Sequence, residues 1–268
     1  MGLAKDSLPA TEAFALLNEK GIYRIKIFDL EIIKALNSSI LNAEATIGFS
    51  NEEMLSLASN ASLALEALRP LQPFDSLIKY IALASEPNES LPSSTLSGAL
   101  PSALTTLNSA LEILEMHAKV TVPFTISLLQ PPVRGSGSAG SISSPPSLGT
   151  FSGVWNGTIT QVLSILHQNN APFMMNMHPY PAYVNELKKK EASKGKKKRK
   201  KGVPVAFALG TNNSSVVVDR GLEYRSLLNA MYDTVLAALA KHYRRDGLAD
   251  HGRGGGNGRE CMQVPKSG

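Results

Sequence analysis

The stretch Ile78-Lys79-Tyr80-Ile81-Ala82-Leu83-Ala84-Ser85-Glu86-Pro87 decides how this chain is read. Its first seven residues are mostly apolar, short enough for one strand, and closed by a polar residue and a proline. Pro87 has no amide hydrogen and ends any further ladder. Glu86 is thus a carboxylate placed where a buried strand stops. At the mouth of a β/α barrel, strand ends are where catalytic side chains gather, so Glu86 is a candidate catalytic acid.

Similar segments lie on both sides of it. Residues 23–28 (YRIKIF), 44–49 (EATIGF), 119–124 and 172–177 are short, β-branched or apolar, and bounded by Pro, Gly or polar residues. Helical patterns separate them. Residues 11–20 place Ala13, Phe14 and Leu17 on one face, and 51–68 is rich in Ala, Leu and Glu. Ser50 is an expected N-cap there, with Glu53 as its capping-box partner. Further helices are expected at 100–117, 159–168 and 223–242. Strand and helix in alternation imply a parallel sheet with helical crossovers. Nearly continuous apolar strands imply that both sheet faces are covered. A barrel and a doubly wound sheet both satisfy this pattern. No Gly-rich phosphate fingerprint follows the first strand, which weighs against a dinucleotide fold.

The 268 residues are 43% hydrophobic, 18% charged and 6% aromatic, as expected of one α/β domain. No stretch is long and apolar enough for a membrane helix. The first residues, Met1-Gly2-Leu3-Ala4-Lys5-Asp6, lack the apolar core of a signal peptide. Cys261 is the single cysteine, so no internal disulfide is expected. The net charge of +5 arises from residues 188–201, which hold ten Lys/Arg and one Glu. The rest carries 17 basic and 21 acidic residues, a net of −4. The global charge therefore implies no nucleic-acid surface.

Three stretches break the alternation. Residues 130–152 are rich in Pro, Gly and Ser and read as a long loop. Residues 187–202 hold the lysine run. A nuclear-localisation or RNA-contacting patch is one reading of it. It has no interleaved aromatics for bases to stack on, so a solvated insertion, such as translated intron, is preferred. Residues 247–268 show no periodicity and read as a disordered, non-homologous tail. Sequons stand at Asn37, Asn60, Asn88, Asn156, Asn212 and Asn213.

Taken in order, the strand ends resemble plant endo-β-1,3-glucanases of glycoside hydrolase family 17. Gly2-Leu3-Ala4 through Leu8-Pro9 is similar to the family's opening loop, and Lys26-Ile27-Phe28-Asp29 to the end of its second strand. Ile47-Gly48-Phe49-Ser50-Asn51-Glu52 resembles the third strand end, and Ser85-Glu86-Pro87 the Asn-Glu-Pro of the fourth. Val120-Thr121-Val122-Pro123 resembles the fifth strand, and Pro145-Pro146-Ser147 with Gly149 and Phe151 the loop after it. Asn176-Met177-His178-Pro179-Tyr180 is similar to the sixth-strand signature, usually Asn-Ile-Tyr-Pro-Tyr.

The resemblance implies a (β/α)8 TIM barrel, incomplete here, with strands 2–6 present and strands 7–8 missing. Residues 1–246 would form the partial barrel domain. It further implies retaining hydrolysis of β-1,3-glucan with Glu86 as general acid/base, no cofactor and no metal. Ser85, Asn176, His178 and Tyr180 would contact substrate, Ser85 in place of an Asn and His178 in place of a Tyr. The family is extracellular, in the cell wall or anchored at the plasma membrane. Its nucleophile lies on strand seven in a Glu-Thr-Gly-Trp-Pro motif, and no such motif occurs in this chain. The chain is therefore expected to turn over substrate negligibly, with a non-catalytic glucan-binding role as the alternative. With suitable third bases, the codons of Arg245 to Asp250, read one base late, spell Glu-Thr-Gly-Trp-Pro-Thr. The tail is thus expected to be an out-of-frame reading.

Overall fold

A computed structural model describes residues 8–39, 43–130, 145–192, 203–211, 213 and 215–245. Residues 2–7 of the opening loop, 131–144, 193–202, Asn212 and the tail from 246 on, with Cys261, lie outside the described residues. The chain divides into two compact units. The first holds the described residues up to Phe124 together with Gly157–Met174; the second holds Thr125–Asn156 and the described residues from Met175 onward.

The first unit is built on four parallel strands in the order β1 (Arg24–Ile27), β2 (Glu44–Gly48), β3 (Ile78–Ala82) and β4 (Lys119–Thr121). Side chains alternate across a strand, and the register converts that alternation into rows. Ile27, Ile47, Ile81 and Val120 are register partners across all four strands, and each is buried. The neighbouring row is Lys26, Thr46, Tyr80 and Lys119, half-buried or exposed. The expectation of two covered faces is thereby corrected: β1 and β2 alternate buried with accessible positions rather than burying both faces. The apolar count misled because Lys26 sits between Ile25 and Ile27, and Thr46 between Ala45 and Ile47.

The helices of this unit are α1 (Ala10–Glu19), α2 (Leu30–Ser39), α3 (Asn51–Ser59), α4 (Ala61–Leu68), α5 (Pro87–Ser90), α6 (Ser93–Ile113) and α7 (Asn156–Gln168). Ala13 and Phe14 are the buried face of α1. The capping box at Ser50 is present: the Ser50 hydroxyl accepts from the Glu53 amide at 3.1 Å and the Glu53 carboxylate accepts from the Ser50 amide. One helix was expected over 51–68; two form. Asn60 takes extended backbone and its side chain accepts from the Ser62 amide at 3.0 Å, restarting the helix as α4. α6 starts earlier and stops earlier than the expected 100–117. Leu96, Leu100, Ala103, Leu104, Leu107, Ala110 and Leu111 form its buried stripe.

The second unit contains α8 (Pro179–Ala192), α9 (Val205–Leu209) and α10 (Leu227–Arg245). Two antiparallel ladders join them, Leu129–Gln130 with Thr150–Phe151 and Val217–Asp219 with Leu222–Tyr224. The expected helix over 223–242 is corrected at its start, because Leu222–Tyr224 is the second strand of a hairpin. Residues 187–192, at the start of the lysine run, lie on α8, and 193–202 lie outside the described residues. Phe207, Val217, Tyr224, Leu227, Ala230 and Met231 form the core here. Lys241 donates to the Ser147 and Gly149 carbonyls at 2.8 and 2.9 Å, and Asp219 accepts from the Ser147 amide and hydroxyl at 2.6 and 2.8 Å. No helix among the described residues is long and apolar enough to cross a membrane.

Candidate functional site

Glu86 stands beyond the C-terminal end of β3, and the backbone that delivers it is unusual. The Leu83 amide still bonds the Thr121 carbonyl at 2.8 Å. Ala84 then turns left-handed with φ 69°, and Glu86 does so again with φ 50°. Neither is glycine, so each costs on the order of 1–3 kcal/mol and persists only where its surroundings hold it. Ala84 is fully buried. Pro87 opens the short helix α5, pre-set for that position by its fixed φ. The Glu86 side chain makes no cap hydrogen bond to that helix and is half-buried. The ladder therefore ends by left-handed turning after Leu83, before the proline is reached.

Asn51, the first residue of α3, holds this turn. Its side-chain amide donates to the Ser85 carbonyl at 3.2 Å and accepts from the Ser85 amide at 3.0 Å. The carboxamide thus replaces the backbone partner that an exposed strand end would lack. The Ser85 side chain itself is exposed.

Lys26 and Phe28 complete the edge. The Lys26 ammonium lies 4.9 Å from the Phe28 ring centroid. Phe28 lies over Gly48, where any Cβ would run into the ring, so that position takes only glycine without displacing Phe28. Burial pushes the Lys26 ammonium below the ordinary lysine range, and the charge of Glu86 pulls it partly back. One layer down, Arg24 is spent on Glu44 at 2.8 Å. Among the described residues no group of three His, Cys, Asp or Glu side chains is placed to hold a metal ion.

The remaining expected contacts belong to the second unit. Asn176 is half-buried at the end of the strand Met174–Asn176. His178 is exposed, and its carbonyl accepts from the Ala182 amide at 3.1 Å. Tyr180 is 53% exposed on α8, its ring 6.4 Å from that of Tyr183, which packs on the core of this unit. The structure thus brings Ser85 together with Asn51, and Lys26 with Phe28, in the first unit, while Asn176, His178 and Tyr180 belong to the second. Asn51, Lys26 and Phe28 were inside quoted motifs yet carried no assigned role. Nothing local marks Asn51, since the Ser85 backbone that it bonds lies 34 residues away along the chain.

Comparison with known proteins completes the description. The profile of glycosyl hydrolases family 17 matches residues 1–246. Glucan endo-1,3-beta-glucosidase 5 of Arabidopsis thaliana is 27% identical over 250 residues, which cover 89% of this chain and 46% of that protein. A glucan endo-1,3-beta-glucosidase of Vitis vinifera is 27% identical over 246 residues, covering 88% of this chain and 63% of that protein. Among solved structures, CJP38, a beta-1,3-glucanase and allergen of Cryptomeria japonica pollen, superposes with a TM-score of 0.73 at 27% identity. That match covers 90% of this chain and 69% of the pollen protein. The chain spans less than two thirds of the Arabidopsis and Vitis relatives.

Proposed function

Because the chain belongs to glycosyl hydrolases family 17, we propose that it carries the acid half of an endo-1,3-β-glucanase site, with β-1,3-glucan as its ligand. Glu86 is the general acid/base. The observation that carries this reading is its setting: a half-buried carboxylate just past a parallel strand, on a left-handed turn that Asn51 clamps. A side chain so placed is pre-aimed, which is what proton donation to a glycosidic oxygen requires.

Retaining hydrolysis needs a second carboxyl about 5–5.5 Å from the acid, delivered from another strand end. The sequence holds no Glu-Thr-Gly-Trp-Pro motif to supply it. We therefore read residues 1–246 as barrel strands two to six with their helices, and 247–268 as a non-homologous tail. The chain binds glucan and turns it over negligibly. Ser85, Asn176, His178 and Tyr180 contact the sugar, the exposed Tyr180 ring offering an apolar face and the others polar groups for hydroxyls. The likeness to the pollen glucanase over 90% of the chain supports the barrel reading.

Pull-down on insoluble β-1,3-glucan tests the binding. The purified chain is expected in the pellet, displaced by soluble laminari-oligosaccharides. A chain that stays in the supernatant would remove the basis for a glucan ligand.

A further inference from the structure

We propose that Asn60 is an N-glycosylation site, the acceptor for an oligosaccharide carried on a lipid pyrophosphate when this chain is delivered to the lumen of the endoplasmic reticulum. It stands apart from Glu86 and holds whether or not the chain binds glucan.

An Asn-X-Ser/Thr triplet marks a possible acceptor. To carry a glycan in the folded chain, the asparagine must also reach solvent and keep its amide nitrogen out of the fold's own hydrogen bonds. Asn60-Ala61-Ser62 meets both conditions. Ser59, Asn60, Ala61 and Ser62 are all exposed, at the break between α3 and α4. Asn60 has extended backbone, φ −145° and ψ 109°, so it stands outside both helices. Its Oδ1 accepts from the Ser62 amide at 3.0 Å and from the Ser62 hydroxyl at 2.8 Å. A backbone N–H only donates, which fixes Oδ1 as the half of the carboxamide that faces Ser62. Nδ2 is the other half, and among the described residues it makes no hydrogen bond.

The two halves therefore have separate uses. Oδ1 caps α4, and Nδ2 is left to carry a sugar. Transfer forms the bond from Nδ2 to the anomeric carbon as that carbon's bond to the pyrophosphate oxygen breaks. The lipid pyrophosphate leaves, and Nδ2 gives up one proton. The product is a secondary amide that retains Oδ1, so the cap survives the modification. α3 begins at Asn51 beside Ser85, and its nine residues rise ~13 Å along the axis. A glycan on Asn60 is thus set back from the Glu86 turn.

Other triplets are less suited. Asn88 is 9% exposed on α5, and a bulky glycan there would have to open the fold. Asn156 is half-buried, and Thr158, the third residue of its triplet, is 4% exposed. Asn213 is exposed, with both of its neighbours outside the described residues.

The intact chain behind a cleavable secretion signal, expressed in cultured animal cells, tests the assignment. Release with peptide N-glycosidase in heavy-oxygen water converts each occupied asparagine to a labelled aspartate, which peptide mapping locates. The secreted chain is expected to carry the label at residue 60 and none at residue 88. Ser62→Ala should abolish the label at 60, and Ser62→Thr should restore it. Ser62→Ala keeps the amide that donates to Oδ1, so its melting temperature should stay close to that of the released wild type. Loss of the glycan without loss of the fold then assigns the effect to the acceptor triplet. A secreted chain with unmodified Asn60 would overturn the proposal, as would one glycosylated at Asn88 in its place. Where the chain is retained inside the cells, the same map of the retained pool decides, and an unlabelled residue 60 there overturns the proposal equally.

Discussion

Replacing Asn51 by alanine removes both hydrogen bonds to the Ser85 backbone, at 3.0 and 3.2 Å. Each such bond contributes a net ~0.5–1.5 kcal/mol, so the pair spans ~1–3 kcal/mol. Ser85 is exposed, and water takes over part of what is lost, which puts the expected cost in the lower half, about 1–1.5 kcal/mol. That cost is local, because it is the turn at Ala84 to Glu86 that loses its support. Native-state hydrogen exchange at the Ser85 amide reads it without assuming that both compact units unfold together. At ~1.4 kcal/mol per factor of ten, protection should fall roughly tenfold. Asn51→Asp keeps an acceptor for the Ser85 amide and loses the donor, so it should lose a few-fold only. Once freed, the two left-handed residues relax, and the Glu86 carboxyl signal should broaden or move. Unchanged Ser85 protection in Asn51→Ala would refute the idea that Asn51 is what holds the turn.

Three further outcomes are expected. The Tyr224 hydroxyl donates to Asp233 at 2.7 Å, and burial, that bond and the nearby charges of Asp233 and Asp219 push its pKa far above the ordinary tyrosine range. A group whose folded value is raised contributes fully below its unfolded value of about 10 and loses that contribution as pH climbs above it. Tyr224→Phe should therefore cost about 1.5–3 kcal/mol below pH ~9 in urea unfolding, with the gap narrowing above pH ~10; a gap that stays constant would contradict this. Gly149→Ala drives a Cβ into the Thr234 carbonyl on α10 and should destabilise by ~1–3 kcal/mol, read as a lower melting temperature. Finally, transcript sequence around codon 245 should permit the shifted Glu-Thr-Gly-Trp-Pro-Thr reading, and any codon set that forbids it ends that explanation of the tail.

How far the residues themselves disclosed this molecule depends on the range of the forces involved. The capping box at Ser50 and Glu53 was legible because a helix start is a local chemical event. The break at Asn60 was not, since the Ala/Leu pattern runs straight through it and only the Asn60 side chain, bonding Ser62, marks the restart. The beginning of α6 was hidden for the opposite reason. Residues 92–101 carry Ser, Gly and Pro, weak helix formers, so the helix was expected only from 100, yet packing of Leu96 and Leu100 overrides that weak propensity. Pairing with Val217–Asp219 overrode the helical pattern at Leu222–Tyr224. At the site, Glu86 was visible because a strand end and a proline frame it. Its support was not, because Asn51 lies 34 residues away from Ser85 along the chain. The positive φ at Ala84 and Glu86 also leaves no trace in residue type, as neither is the glycine that would announce it.

The central proposal is that Glu86 stands at the acid position of the family, in a sequence that holds no Glu-Thr-Gly-Trp-Pro motif to complete it. Isothermal titration with laminari-oligosaccharides, paired with release of reducing ends from laminarin, tests this most directly in wild type and Glu86→Gln. Binding in the wild type with no reducing ends released by either protein is the predicted result. Hydrolysis by the wild type that Glu86→Gln abolishes would show that a second carboxylate is at work and contradict the account.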